Sequence, residues 1–377
     1  MKKTFFLIIL LIFPSLADSK ISTTASQAIV IDVSSEKILY EKNSDQKISP
    51  ASMTKIMTSI VAFDLIKKKE LSINEKFLVS NKAWRMSKSG YSSMFILPND
   101  KISVLNLLKG IIIVSGNDAC IVLAEGIAGT ESAFADLMNE KAIEIGLKNT
   151  NFTNSSGIYD GNNFSTVSDI ATMSIYMIKN YPELYKLYAE KQFTWDRTGG
   201  DPIKQGNRNV LLYRNIGADG IKTGHLSDSG YSLAATTKLN DRRIISVISG
   251  TKSSSERTKE SLKLINYAKI RYDLLKIPKN IDLKIKSWNI NVGHVIGTLR
   301  DDVFITTEKR KKNKIKILAK VKEPIKSNIK KGDVLGKLEV YYDNKLIKSK
   351  EIVSNTDAKK VNFMKRFLNS ISFFVWG

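Results

Sequence analysis

Cysteine and histidine are almost missing from this chain. Cys120 is the single cysteine, and His225 and His294 are the only two histidines among 377 residues. One cysteine excludes an intramolecular disulfide, so the core must hold the fold. The same scarcity leaves too few ligands for the usual His/Cys zinc sites. Acidic residues are also short: 37 Asp and Glu stand against 59 Lys and Arg, a formal net charge of +22. That sign selects for polyanions, whether nucleic acid, a membrane surface or acidic polymers. Part of it is compositional, since Lys, Ile and Asn are abundant along the whole chain.

Long apolar runs are lacking as well. Phe5–Phe13 is wholly apolar but far below the roughly 20 residues that span a bilayer. Lys2 and Lys3 precede it, and Pro14-Ser15-Leu16-Ala17-Asp18 follows with small residues. This order predicts a removable signal peptide over residues 1–17; the alternative is a buried N-terminal helix or strand. Export excludes nucleic acid as the partner and leaves an anionic membrane or wall polymer. Composition is otherwise ordinary, with 42% hydrophobic and 25% charged residues. The length favours two domains.

Residues 28–33 and 37–41 read as a strand hairpin. From Ser52, the apolar residues Met53, Ile56, Met57, Ile60, Val61 and Leu65 recur at helical spacing. Residues 103–127 are strongly apolar and broken by a turn at Ser115-Gly116-Asn117-Asp118. Helices are expected over 131–145 and 166–189, the second broken at Pro182, and a loop at Gly199-Gly200-Asp201-Pro202. Residues 218–224, 230–236 and 243–249 read as successive antiparallel strands, closed by a helix at about 256–274. Strands at both ends with helices between them predict an α+β fold, an antiparallel sheet flanked by helices with a helical insert. After Pro278 the chain turns to short alternating strands over 279–354, with a hairpin turn at Asp343-Asn344, and predicts a small all-β domain. The basic run Lys309-Arg310-Lys311-Lys312 reads as a solvated turn. From residue 358 on, Val361, Phe363, Met364, Phe367, Leu368, Ile371, Phe374 and Val375 share one helical face. Asn362, Lys365, Arg366, Asn369 and Ser372 share the other, with Phe373 out of pattern. With Trp376 next to last, this predicts an amphipathic helix lying on a membrane surface; the alternative is a helix packed on its own protein. The expected boundaries are 1–17, 18–277, 278–356 and 357–377.

Three short motifs carry chemistry. In Ser52-Met53-Thr54-Lys55, a serine needs a base, and a lysine three residues on shares its helix face. Burial or a nearby cation would lower the Lys55 pKa enough for that task. The helix start offers N–H groups to an oxyanion. In Ser115-Gly116-Asn117, the hydroxyl could pass a proton and the Asn117 amide could hold a substrate amide. In Lys222-Thr223-Gly224, Lys222 supplies a cation for a carboxylate, and Gly224 admits close backbone approach. Read singly, each has a plainer meaning: Ser52 and Ser115 as helix caps, and 222–224 as a polar strand edge.

Their order and contexts together resemble the penicillin-recognising serine enzymes. Residues 50–58, 114–120 and 219–225 are similar to the D-alanyl-D-alanine carboxypeptidases among low-molecular-mass penicillin-binding proteins. The similarity covers about residues 25–275, and the β-rich domain and tail resemble that family too. The resemblance implies Ser52 as the acylated serine, Lys55 as proton acceptor, Ser115 as a catalytic serine and Lys222 as the substrate-binding lysine. Thr223, Asn117 and Gly224 go with substrate binding, His225 contributes its backbone N–H, and Arg208 and Arg257 resemble arginines near the substrate site. The implied substrate is a peptidoglycan stem peptide ending D-Ala-D-Ala, with β-lactams as inhibitors. It implies no cofactor, and a location on the outer face of the cytoplasmic membrane. A β-lactamase, a D,D-endopeptidase or an inactive wall-binding module are the competing readings.

Overall fold

The computed structural model describes residues 21–196, 200–286, 290–321 and 328–376. The expected signal peptide, and Gly199 of the expected loop, lie outside the described residues.

Five antiparallel strands form the central sheet, in the order Lys37–Lys42, Gln27–Asp32, Arg242–Thr251, Gly230–Leu239, Ala218–Leu226. Both chain ends of the unit thus meet in one sheet, as the sequence predicts. Alternation along the strands gives it two apolar faces. Ile29, Ile245 and Val247 pack against the helical insert. Ala28, Val30, Ile244 and Ile248 pack against Leu264, Ile265 and Ala268 of helix Ser254–Arg271. The insert contains Lys55–Lys68, Val104–Lys109, Asn117–Ala128, Glu131–Ile145 and Val167–Asn180. Pro182 opens a separate short turn after the last of these.

The helix expected to reach residue 274 ends at Arg271. Tyr272–Ile277 is a strand instead, paired with Val303–Glu308 of the β-rich part. Tyr272, Leu274, Leu275 and Ile277 keep an apolar rhythm that either structure can use, and pairing with a distant strand decides it. The β-rich part is a second five-stranded sheet, in the order Leu283–Lys286, His294–Leu299, Lys345–Ser354, Val334–Tyr342, Ile315–Val321. Asp343 and Asn344 have φ of +51° and +62°, the tight hairpin turn expected there. The basic run forms a 3-10 turn, Lys309–Lys314, in which Lys309 and Lys312 face Asp273 and Lys311 faces Glu308.

The terminal helix is Phe363–Trp376, five residues later than expected. Residues 358 and 360 instead form isolated bridges to Ile329 and Ile290 of the β-rich part. Phe363, Met364, Phe367, Leu368, Ile371 and Phe374 are exposed. The side chains of Phe373, Val375 and Trp376 lie outside the described residues. No described helix is long and apolar enough to cross a membrane.

The central sheet meets the β-rich part where the hairpin Ser34–Lys37 touches strand Val303–Glu308. Asp32, fully buried, accepts from Thr306 Oγ1 at 2.8 Å and from Arg242 Nε at 2.8 Å. Ser35 and Thr306 share a hydroxyl bond of 2.7 Å.

Candidate active site

Pro50-Ala51 turns the chain sharply into the motif. Ala51 has φ +49°, a left-handed conformation that costs a residue with a Cβ. Ser52 lies in the 3-10 turn Ala51–Thr54, and the α-helix proper begins at Lys55. The turn is clamped from two sides. Gly157, at φ +79°, packs so tightly that a Cβ would collide with the Ala51 carbonyl oxygen. Gly224 of the edge strand packs from the other side, where a Cβ would stand 3.0 Å from Pro50 O and 3.3 Å from Ala51 Cβ. Gly224, which the sequence suggested makes room for substrate, lines the cleft, and its bare backbone also makes room for the Ser52 turn.

Lys55 is completely buried. Its Nζ stands 3.0 Å from Ser52 Oγ, 2.7 Å from Asn117 Oδ1 and 2.6 Å from the Ser156 carbonyl. Ser115 follows a π-helical turn, Gly110–Val114, and adopts φ +66°. Its Oγ accepts from Lys222 Nζ at 2.9 Å. Neither Ser52 nor Ser115 caps a helix: the starts at Ala51, Lys55 and Asn117 carry no side-chain cap bond. The plain capping reading of both motifs therefore falls.

Ser52, Ser115, Asn117, Thr223, Gly224, His225, Arg208 and Arg257 all line one cleft of about 680 Å³. Lys55 and Lys222 are buried behind it. The His225 ring stacks on Tyr231 at 4.0 Å between centroids, on the cleft wall. Buried Arg257 donates from Nη2 to Ser254 Oγ at 2.9 Å, and its Nε is buried without a partner among the described residues. Arg208 sits exposed at the rim.

Burial lowers the pKa of Lys55, and the Arg208 cation lowers it further, against the opposing pull of Asp118 and Glu131. Lys222 is pushed well below the ordinary lysine range, first by burial and then by repulsion from Lys55 and Arg208. The two buried lysines repel one another, and the Arg208 cation adds to the cost of charging either. Cys120 lies fully buried beneath the pair, its thiol pushed up to about 12 by burial.

Three site residues were given no role from the sequence. Asp118 is fully buried, and its carboxylate accepts from Ser93 Oγ at 2.6 Å and from the backbone N–H groups of Met94, Phe95 and Ala119. It thereby pins the loop that brings Tyr91 and Ser92 to the cleft. Ser156 and Gly157 come from a loop about a hundred residues after Ser52. Thr58 Oγ1 and Glu131 hold that loop through Ser155, at 2.6 and 2.8 Å. Only Asp118 could have been suspected, as an acid in an apolar stretch next to a motif.

A serine with a buried lysine behind it, a second serine–lysine pair opposite and two arginines lining the cleft, on this sheet-and-insert fold, define a penicillin-recognising serine acyl-transfer enzyme. Family models agree. One described as D-alanyl-D-alanine carboxypeptidase matches residues 15–253, and one described as penicillin-binding protein 5, C-terminal domain, matches residues 277–360. The chain belongs to the D-alanyl-D-alanine carboxypeptidases, hydrolases of the penicillin-binding protein family. It is 36% identical to the carboxypeptidase DacA of Haemophilus influenzae, across 86% of this chain and 83% of that protein. It is similar to the crystal structure of penicillin binding protein 5 from Haemophilus influenzae, with a TM-score of 0.78 and 34% identity over 90% of this chain and 99% of the other. It is also similar to penicillin-binding protein D2 of Listeria monocytogenes in its cefotaxime-bound form, with a TM-score of 0.59 and 28% identity over 66% of this chain and 98% of that one.

Proposed function

We propose that the chain removes the terminal D-Ala from peptidoglycan stem peptides through an acyl-enzyme on Ser52, and that β-lactams inhibit it by acylating the same oxygen. The observation that carries this is the buried Lys55 ammonium nitrogen, 3.0 Å from Ser52 Oγ and otherwise in contact only with neutral oxygens. In its neutral form it takes the Ser52 proton as Oγ attacks the penultimate D-Ala carbonyl. Backbone N–H groups of Ser52 and His225 receive the oxyanion. Lys222 and Thr223, with Arg257 in the cleft wall and Arg208 at the rim, receive the terminal carboxylate. That incoming negative charge favours the ammonium form at Lys222 and leaves Lys55 as the neutral partner. Asn117 offers its amide N–H to the peptide, since its oxygen is engaged by Lys55. The C–N bond breaks, and the departing D-Ala amine takes the proton that Lys55 received from Ser52, relayed through Ser115, whose hydroxyl Lys222 Nζ holds at 2.9 Å; Lys55 is neutral again. Water then cleaves the Ser52 ester.

We assign residues 18–277 to the peptidase unit, 278–356 to the β-rich unit and 357–377 to a membrane anchor. Residues 1–17 are read as the export signal, which places the site on the outer face of the cytoplasmic membrane. The exposed apolar face of Phe363–Trp376 supports the anchor. The decisive experiment is mass measurement after exposure to labelled penicillin, alongside D-Ala release from a D-Ala-D-Ala peptide. A stable adduct on Ser52 is expected, with Ser52→Ala losing both adduct and about 10³-fold or more of turnover. An adduct persisting in Ser52→Ala, or rapid destruction of the antibiotic, would refute the assignment.

A further inference from the structure

The positive charge is unevenly shared. Residues 278–360 hold 21 Lys and Arg against 10 Asp and Glu, a net +11, so under a quarter of the chain carries half of its +22. Part of this charge gathers at one place. The bridge between Ile329 and Ala358 lays segment 328–331 beside 357–360, joined by Lys331 N–H to Asp357 at 2.7 Å and Lys360 N–H to Asn328 at 2.8 Å. Lys330, Lys331, Lys359 and Lys360 are therefore neighbours. All four are exposed, and none is ion-paired among the described residues. The two nearby acids, Asp333 and Asp357, are occupied by the backbone N–H groups of Lys330 and Lys331. The helix with the exposed apolar face leaves the domain within three residues of this cluster.

Its location in the fold adds a direction. Strand Val334–Tyr342 has Tyr342 at the contact with the peptidase unit, where Lys37 lies over its ring, and Val334 at the lysine cluster. Nine residues of strand set the cluster about 26 Å from that contact. We propose that Lys330, Lys331, Lys359 and Lys360 form a basic collar that binds the anionic headgroups of the bilayer on which the terminal helix lies. This rests on the anchor reading and adds a second attachment made by the folded domain. An apolar helix supplies burial, and a basic patch supplies Coulomb attraction to anionic lipid. Together they make attachment depend on lipid charge. The long strands would then stand between bilayer and peptidase unit.

The test is flotation of the mature chain, residues 18–377, with vesicles of phosphatidylcholine alone or with about one-third phosphatidylglycerol. Wild type should bind the anionic vesicles about 100-fold more tightly, an advantage lost in high salt. The variant carrying Lys330→Gln, Lys331→Gln, Lys359→Gln and Lys360→Gln should bind phosphatidylcholine as wild type does, lose most of that advantage, and keep turnover of a soluble peptide as evidence of folding. Equal gain on anionic vesicles in variant and wild type would overturn the collar while leaving the anchor standing. A variant that loses binding to isolated wall polymer but not to anionic vesicles would also overturn it, reassigning the lysines to the wall. Failure of the wild type to bind either vesicle, or unchanged binding after deletion of residues 363–377, would overturn the anchor reading and the collar with it.

Discussion

Three neutral oxygens, and no carboxylate, surround Lys55 Nζ. Its charge is therefore uncompensated at close range, which is why burial lowers its pKa while Lys141, equally engaged but by Asp64 and Glu144, is raised. Because the neutral amine is the working base, acylation should fall as pH drops through the lowered Lys55 pKa. Removing the Arg208 cation relieves repulsion and raises that pKa. The Arg208→Gln variant should thus show its acid limb displaced to higher pH, read from the pH profile of the second-order rate with fluorescent penicillin. An unmoved limb would remove Arg208 from the electrostatics. The motif residues at this scale were legible because Ser52 with Lys55, Ser115 with Asn117, and Lys222 with Thr223 and Gly224 are each local in sequence. Asp118 was not legible in its role, since its partners Ser93–Phe95 lie over twenty residues upstream and only folding brings them to it.

Among the elements, the Ser52 turn depends most on its neighbours. The left-handed Ala51 is held between Gly224 on one side and Gly157 on the other. Gly157→Ala puts a Cβ into the Ala51 carbonyl and strains a φ of +79°. We expect a loss of about 2–3 kcal/mol in stability, and penicillin acylation reduced more than the fall in folded fraction explains. Thermal melts and acylation rates on one preparation would check this; a variant with normal acylation would show the turn to be self-supporting. Helix and strand periodicity made most elements readable, including the break at Pro182 and the tight turn at Asp343-Asn344. It failed at Tyr272–Ile277, where the partner Val303–Glu308 is remote, and at residues 358–360, where two isolated bridges outweigh helical spacing.

For the molecule as a whole, the seam between the units combines the strand ladder Tyr272–Ile277 to Val303–Glu308 with a polar contact at the Ser34–Lys37 hairpin. Thr306 alone serves Asp32, Ser35 and, through its carbonyl, Lys37 at 3.1 Å. Thr306→Val keeps the shape and removes the two hydroxyl bonds, leaving Asp32 with one fewer donor at full burial. A cost of about 1–3 kcal/mol in thermal or denaturant unfolding is expected, with the rate of Ser52 acylation unchanged. A large drop in acylation would mean that the β-rich unit shapes the cleft as well as carrying it. The overall plan of sheet, insert and β-rich unit was readable from pattern shifts along the chain. How the units dock was not, because Asp32, Ser35 and Thr306 are ordinary strand and turn residues until they meet.

Cys120 was first noted for its solitude. Buried beneath two lysines, with its thiol pushed up to about 12, it has neither the access nor the thiolate to react with an alkylating reagent at neutral pH. A modified molecule is consequently one whose helix Asn117–Ala128 had come away from the core. The chain therefore contains its own single-site recorder of opening, and the rate at which label accumulates under native conditions counts those events without an added probe. Acylation of Ser52 by penicillin should slow that count if the occupied cleft braces the same helix, and leave it unchanged if opening starts elsewhere.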